Sequence, residues 1–287
     1  MLTGPRGRVG YDEEEIEMIG RIPKRAAKLA AALFAATAMM AIAAVTASAT
    51  TVYDNISKPL PGNLPSVGFQ ATSTSEFGGQ VEFAGTARKE PAVTVVMSSW
   101  ACQFGTGATC ATASGAAFRQ QITLDIYKVN ATSNEPEGAP ISTTQQTFEI
   151  PYRPSERTQC PETGEGKGWG KDCFLGKTHE ITFHPTEVVT LPAKAIVAVA
   201  FNTQSYGANP TGVEGPYNSL NVATTEPKVE GEAVKPSVGE DPKPEYTYFN
   251  SKYALVYEPE PHGTIGTFSL ANGWTGYQPE FKVTAKK

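Results

Sequence analysis

Two of the three histidines in this 287-residue chain stand close together in "HEITFH", at His179 and His184. A zinc-protease helix needs histidines at i and i+4 on one face, with a glutamate beside the first. Here the spacing is i and i+5, and on a strand an odd separation sends the two rings to opposite faces. No shared metal is expected, and no cofactor. Carboxylates are the next candidates. Glu76, Glu82, Asp125, Glu149 and Glu180 would suit glycoside hydrolysis if two of them faced each other across roughly 5–9.5 Å. Most fall at polar positions of alternating segments, where a solvated face explains them. No G-x-S-x-G is present, because Leu64 stands where the glycine before Ser66 should be. Asp54, Asp125, Asp172 and Asp241 lie far apart and form no calcium loop. "GTGATC" lacks the Lys-Ser/Thr ending of a phosphate loop. No catalytic motif emerges, so catalysis ranks behind binding.

Aromatics and amides near turns are the remaining chemical signal. "AFNTQSYGANPTGVEGPYNSLNVA" leaves an apolar run, crosses a Gly/Pro/Asn-rich stretch and returns to alternation. Its Asn202, Gln204, Tyr206, Tyr217 and Asn218 could bond hydroxyl groups without net charge. Trp274 and Tyr277 in "ANGWTGY" belong to the same candidate set. Sugar C–H faces stack on such rings, while their hydroxyls bond to amides. Trp100 and Trp169 also lie near turns. The alternative for each ring is packing under a loop or at the end of the core.

The four cysteines, Cys102, Cys110, Cys160 and Cys173, favour disulfides in an exported chain. Three pairings are possible. Cys102–Cys110 and Cys160–Cys173 are favoured because each pair flanks a Gly/Thr-rich loop. Spacings of C-x7-C and C-x12-C lack the tight zinc knuckle.

Export is read from the N-terminal segment. Arg21, Lys24, Arg25 and Lys28 precede the uncharged run from Leu29 to Val45, and Ala47-Ser48-Ala49 gives a small-residue cleavage site. Residues 1–49 are expected to be a signal peptide and residues 50–287 the mature domain, with no membrane span after cleavage. The acidic stretch before Met18 suits a signal peptide poorly, so Met18 is the expected start. Six of the 24 Lys/Arg and five of the 29 Asp/Glu lie before Thr50, which leaves 238 residues with a net charge of −6. That balance argues against nucleic acid, whose phosphates require a basic face.

The elements that must position these groups read as strands. Period-2 alternation puts Ile122, Leu124 and Ile126 on one face of "QITLDIYKV". Ile181 and Phe183, Leu220 and Val222, and Phe281 and Val283 repeat the pattern. "AIVAVAF" is apolar on both parities, which suits a central strand covered on both faces. "LPAKA" reads as a tight connection between Val188–Leu191 and Ala195–Phe201. "NATSNEPEGAP" joins two strands across a Gly/Pro loop. Residues 224–246 are rich in Pro, Glu and Lys and read as a flexible surface loop. The expected fold is all-β, a two-sheet antiparallel sandwich resembling a jelly roll.

"VYDNISKPLPGNLPSVGFQATSTSEFGGQVEFAG", followed by "SSWACQFG", "ITLDIYKV", "FEIPYRPS", "AVAFNTQSYG" and "GPYNSLNV", resembles a group of secreted bacterial proteins of unknown function. The resemblance spans Thr51 to Thr284 and implies an exported β-sandwich. It carries no activity or catalytic residue with it. The expectation is therefore a secreted, non-enzymatic binding module, with an extracellular polysaccharide as the best ligand. A structural or cell-surface interaction protein is the second reading, and a secreted hydrolase the third.

Overall fold

The computed structural model describes residues 48–105, 109–155, 168–169, 173–185, 187, 190–202, 219–251 and 266–287. The signal-peptide reading therefore falls outside the described residues, apart from Ser48 and Ala49, which are exposed.

Among the described residues, the alternating segments form twelve strands in two antiparallel sheets of six. The first sheet contains β1 (Thr50–Asp54), β2 (Ser66–Gly68), β4 (Lys89–Ser99), β7 (Lys177–Phe183), β9 (Leu220–Ala223) and β12 (Phe281–Lys286). The second runs β11 (Ser269–Asn272), β10 (Tyr246–Ser251), β3 (Thr74–Glu82), β8 (Lys194–Ala200), β5 (Ala117–Tyr127), β6 (Ser142–Pro151). The chain changes sheets at most connections, as a jelly roll does. Consequently the strands adjacent in space are mostly distant in sequence.

β4 organises the first sheet. One flank pairs with β7 from Val93 to Ser99. The other flank is shared: β12 pairs with its first half, and β9 pairs with Met97, Ser98 and Ser99. β1 extends the sheet beyond β12, and β2 extends it beyond β9. In the second sheet β8 lies between β3 and β5, and Ala195 to Val199 are all buried. A strand with both faces covered needs apolar residues on both parities, which "AIVAVA" supplies.

The core fills the space between the sheets. Ile122, Leu124 and Ile126 of β5 meet Val93, Val95 and Met97 of β4 in one buried cluster, with Phe281 and Val283 of β12. Each such side chain contributes about 1.5–3 kcal/mol on burial. Rings join elements across it. Phe148 of β6 meets Phe183 of β7 edge-on at 4.8 Å, and Phe77 of β3 stacks on Phe249 of β10 at 4.5 Å. Phe69, in the helical turn Phe69–Thr72, stacks on Phe201 at 3.9 Å.

Two connections carry contacts that the sequence does not show. Before the expected turn at Pro192–Lys194, Thr190 bridges Lys89, and the Leu191 N–H donates to Arg88 O at 2.9 Å, which ties this segment to the start of β4. Residues 224–246, whose composition suggests a loose loop, are held by backbone hydrogen bonds rather than by side-chain burial. Ser237 N donates to Asp54 O at 2.7 Å, and Asp54 N donates to Val238 O at 2.9 Å. Glu82 and Glu240 exchange backbone bonds at 2.8 and 3.0 Å. The segment thus clips β1 of one sheet to β3 of the other.

Cys102 and Cys110 form a disulfide with Cα atoms 5.6 Å apart. Cys173 is also disulfide-bonded. Its expected partner, Cys160, lies outside the described residues.

Gly239 sits between the two halves of the clip. Its φ is +78°, and a Cβ there would lie 2.7 Å from Glu82 O and 3.0 Å from Val52 O. Gly231 has a similar φ of +81° but open space around it. Gly231→Ala isolates the backbone strain, about 1–2 kcal/mol. Gly239→Ala adds a clash with two strands, so urea denaturation is expected to show a loss about 1–3 kcal/mol larger. Equal losses at the two positions would show that the clip carries no stability.

Candidate functional site

The predicted residues divide between places. Gln204, Tyr206, Tyr217 and Asn218 lie outside the described residues. Asn202 follows β8, and its main-chain oxygen accepts a bond from Gln120 Nε2 at 3.1 Å. Trp274 and Tyr277 come together. They line a pocket of about 230 Å³ with Ser66, Gly68, Thr72 and Thr224. Trp100 and Trp169 do not join them. Trp169 donates to Gly176 O at 3.1 Å and packs against Phe174, while Trp100 Nε1 lies against Gly176.

The pocket's aromatic wall is positioned by the core. Trp274 is half-buried, with its ring 4.9 Å from Phe249 and 6.4 Å from Phe77. A turn follows it, in which Tyr277 N donates to Trp274 O at 2.9 Å. Thr225 Oγ1 donates to Gly276 O at 2.6 Å and pins the turn to the end of β9. Tyr277 is half-buried, and its hydroxyl has no hydrogen bond among the described residues.

The polar wall comes from β2 and the helical turn. Ser66 Oγ accepts from Asn221 Nδ2 at 2.9 Å, so its own hydrogen stays available. Asn221 Oδ1 is buried without a partner beside Gly68, where an added Cβ would lie 3.3 Å from it. Thr72 Oγ1 donates to Gly68 O at 2.8 Å. No charged residue lines the pocket. It offers two ring surfaces, hydroxyls and no net charge. Such a lining suits an uncharged, hydroxyl-bearing ligand.

The carboxylates follow a different pattern. Glu82 pairs with Lys194 at 2.9 Å, and Glu149 with Arg119 at 3.8 Å, both exposed. Glu180 is exposed on β7. Glu76 and Asp125 share the outer face of the second sheet, which alternation indicates. They are nonetheless buried, not solvated as expected. Tyr127 Oη donates to Glu76 Oε1 at 2.8 Å, and Thr143 Oγ1 donates to Asp125 Oδ1 at 2.6 Å. Burial pushes the Glu76 carboxyl up to about 7, against the lowering effect of the Tyr127 bond, with the Asp125 charge adding to the rise. Burial raises Asp125 as well. Their cover begins with the ring of Phe268 stacked on Tyr127 at 5.1 Å.

Burial raises two further carboxyls that were not among the carboxylate candidates. Asp241 lies in the clip and is pushed up to about 7 by burial, with Glu245 adding to the rise. Glu280 is fully buried on the outer face of the first sheet. Its Oε1 accepts from Ser57 N at 3.1 Å and Ser57 Oγ at 2.5 Å, and its Oε2 has no partner. Burial pushes Glu280 up to about 7 despite those bonds. The only sequence signal was its position next to inward-facing Phe281, and that signal points outward.

His179 lies on the same face as Ile181 and Phe183, and its ring bonds the Glu149 backbone. His184 lies beyond the strand and is exposed. Among the described residues no group of three His, Cys, Asp or Glu could hold a metal ion. No helix among them is long and apolar enough to cross a membrane. No protein-family model, curated protein or solved structure matches the chain.

The raised carboxyls make stability depend on pH. Each holds its proton to about pH 7 in the folded chain, but in the unfolded chain only to its ordinary value near 4. Their favourable contribution is complete below that value and is lost as pH rises through 7. Thermal denaturation from pH 5 to 8 is expected to show a falling melting temperature. Glu280→Gln should flatten the slope by up to about 1.4 kcal/mol per pH unit. An unchanged slope would show that Glu280 is charged throughout.

Proposed function

We propose that the protein is a secreted, non-enzymatic binding module whose ligand is a neutral extracellular glycan. The observation that carries this reading is the uncharged pocket that Trp274 and Tyr277 line together with Ser66, Thr72 and Thr224. Ring faces stack on sugar C–H faces, and hydroxyls exchange hydrogen bonds with sugar hydroxyls. The Cys102–Cys110 disulfide suits an oxidising, extracellular setting.

Glu76 and Asp125 are the observation on which a hydrolase reading rests. Each is more than nine-tenths buried and already bonded to a hydroxyl, which suits a packed outer face better than an open cleft.

Tyr277 is the residue to change, because Trp274 also packs on Phe77 and Phe249. The protein is expected to retain neutral glycans on an array. Tyr277→Ala is then expected to weaken the best of them at least tenfold, about 1.4 kcal/mol by calorimetry. Its melting temperature should stay within about 2–4 °C of the parent, because no hydrogen bond is lost. An array that retains only charged glycans, or none, overturns the reading. Unchanged affinity in the variant removes the pocket from the site.

A further inference from the structure

A sheet edge offers unpaired N–H and C=O groups, and folded proteins normally blunt such edges. This protein treats most of its edges that way. β1 is met on its open side by Ala84 N, which donates to Val52 O at 2.8 Å, and by the clip at Asp54. β2 is three residues long. On β11 the Leu270 N–H is taken by Glu135 Oε2 at 2.9 Å. On β7 Thr178 N donates to Gly62 O at 3.3 Å and Thr178 Oγ1 to Pro61 O at 2.6 Å, and Lys177 and Glu180 add charge.

Among the described residues, β6 has none of these devices over most of its length. It is a ten-residue strand paired with β5 from Ser142 to Pro151 without a register shift. Between Ser142 and Phe148 it contains no charged residue, no proline and no glycine. Its backbone there makes no hydrogen bond beyond β5 among the described residues. The first contact at the edge is the His179 ring on the Glu149 backbone. Thr143, Gln145, Thr147 and Glu149 are all exposed.

We propose that β6 is a dimerisation edge that pairs antiparallel with β6 of a second copy and joins the two six-stranded sheets into one. The side chains favour a copy of the same strand over another partner. A twofold axis perpendicular to the sheet keeps outer faces together only if residues of equal parity meet. Centred on Gln145, that axis sets Gln145 against Gln145, Thr143 against Thr147 and Thr144 against Gln146. Gln145 then meets an amide and Thr143 a hydroxyl, Thr144 and Gln146 form a hydroxyl–amide pair, and uncharged polar pairs of this kind are compatible across strands. Glu149 comes opposite Ile141 of the second copy, so no like charges meet. Strand addition of this kind draws its affinity from main-chain hydrogen bonds. One strand buries less than the roughly 1,200 Å² of a stable interface, so the dimer forms in a concentration-dependent way.

Sedimentation equilibrium of the protein over a wide concentration range tests this. A monomer–dimer equilibrium is expected. Gln145→Lys with Thr147→Lys places charges at the centre of the joint and is expected to raise the dimer dissociation constant at least tenfold, with an unchanged melting temperature. Gln145→Cys supplies a test independent of the lysines. Opposed residues in an antiparallel pair have Cβ atoms about 4.5–5.5 Å apart, near disulfide range. Mild oxidation is expected to give a covalent dimer that reducing agent reverses. A monomer at every concentration overturns the proposal. So does a dimer of equal strength in the lysine variant, or a cysteine variant that stays monomeric on oxidation.

Discussion

The first sheet depends on a junction at Glu280. β7 covers one flank of β4, and two strands, β12 and β9, fill the other end to end. The Glu280 N–H donates to Ala223 O and its carbonyl accepts from Val96 N, both at 3.2 Å. One residue thus links β9, β12 and β4. Its side chain cannot face the core, because Phe281 next to it does. It points outward beneath the segment from Asn55 to Leu64, where Ile56, Leu60 and Leu64 pack on Val96 and Ala223. Asn55 fixes the start of β12 by accepting from Phe281 N at 2.7 Å and donating to Pro279 O at 3.0 Å. Lys58 pairs with Asp54 at the end of β1. The register of β12, and of β1 beyond it, therefore rests on a strap that buries a carboxyl. Retention of a proton near neutral pH keeps that burial tolerable.

The alternation in the sequence specifies which side of a strand each residue takes, and the inner faces were legible for that reason. Ile122, Leu124, Ile126, Ile181, Phe183, Leu220, Val222, Phe281 and Val283 all lie in the core. The all-β, two-sheet architecture follows from the same pattern. Alternation says nothing about what covers an outer face. Glu76 and Asp125 read as solvated because they point away from the core, yet both are buried, and Glu280 on the other outer face is buried beneath the strap. Composition misleads for a related reason. Residues 224–246 lack the apolar groups that hold a segment by burial, yet hydrogen bonds at Asp54 and Glu82 hold its main chain. Main-chain pairing leaves no trace in residue type, except at Gly239, where no side chain fits.

The pocket shows the limit of such reading from the other direction. Trp274 and Tyr277 were legible as an aromatic pair beside a glycine turn. Their partners Ser66, Thr72 and Thr224 were not, because they reach the pocket only through the pairing of β2 with β9 and the helical turn that follows β2. Position matters here more than residue type. The Trp274 ring continues the stack of Phe77 and Phe249 to the surface, so the core holds it before any ligand arrives. A ring already held loses little conformational freedom on binding, and more of the contact energy is left as affinity.

The same arrangement separates titration from recognition. The carboxyls that titrate near neutrality, Glu76, Asp241 and Glu280, lie on the outer sheet faces and in the clip, and none lines the Trp274 pocket. Between pH 5 and 8 it is the charge of the fold's supports that changes. Proton uptake on these groups therefore shifts the folding equilibrium but places no charge in the Trp274 pocket. The proposed neutral ligand would meet a pocket free of these charges for as long as the sandwich stays folded. This separation is possible because the rings that position Trp274, Phe77 and Phe249, are apolar, while the raised carboxyls lie on the two outer faces and in the clip.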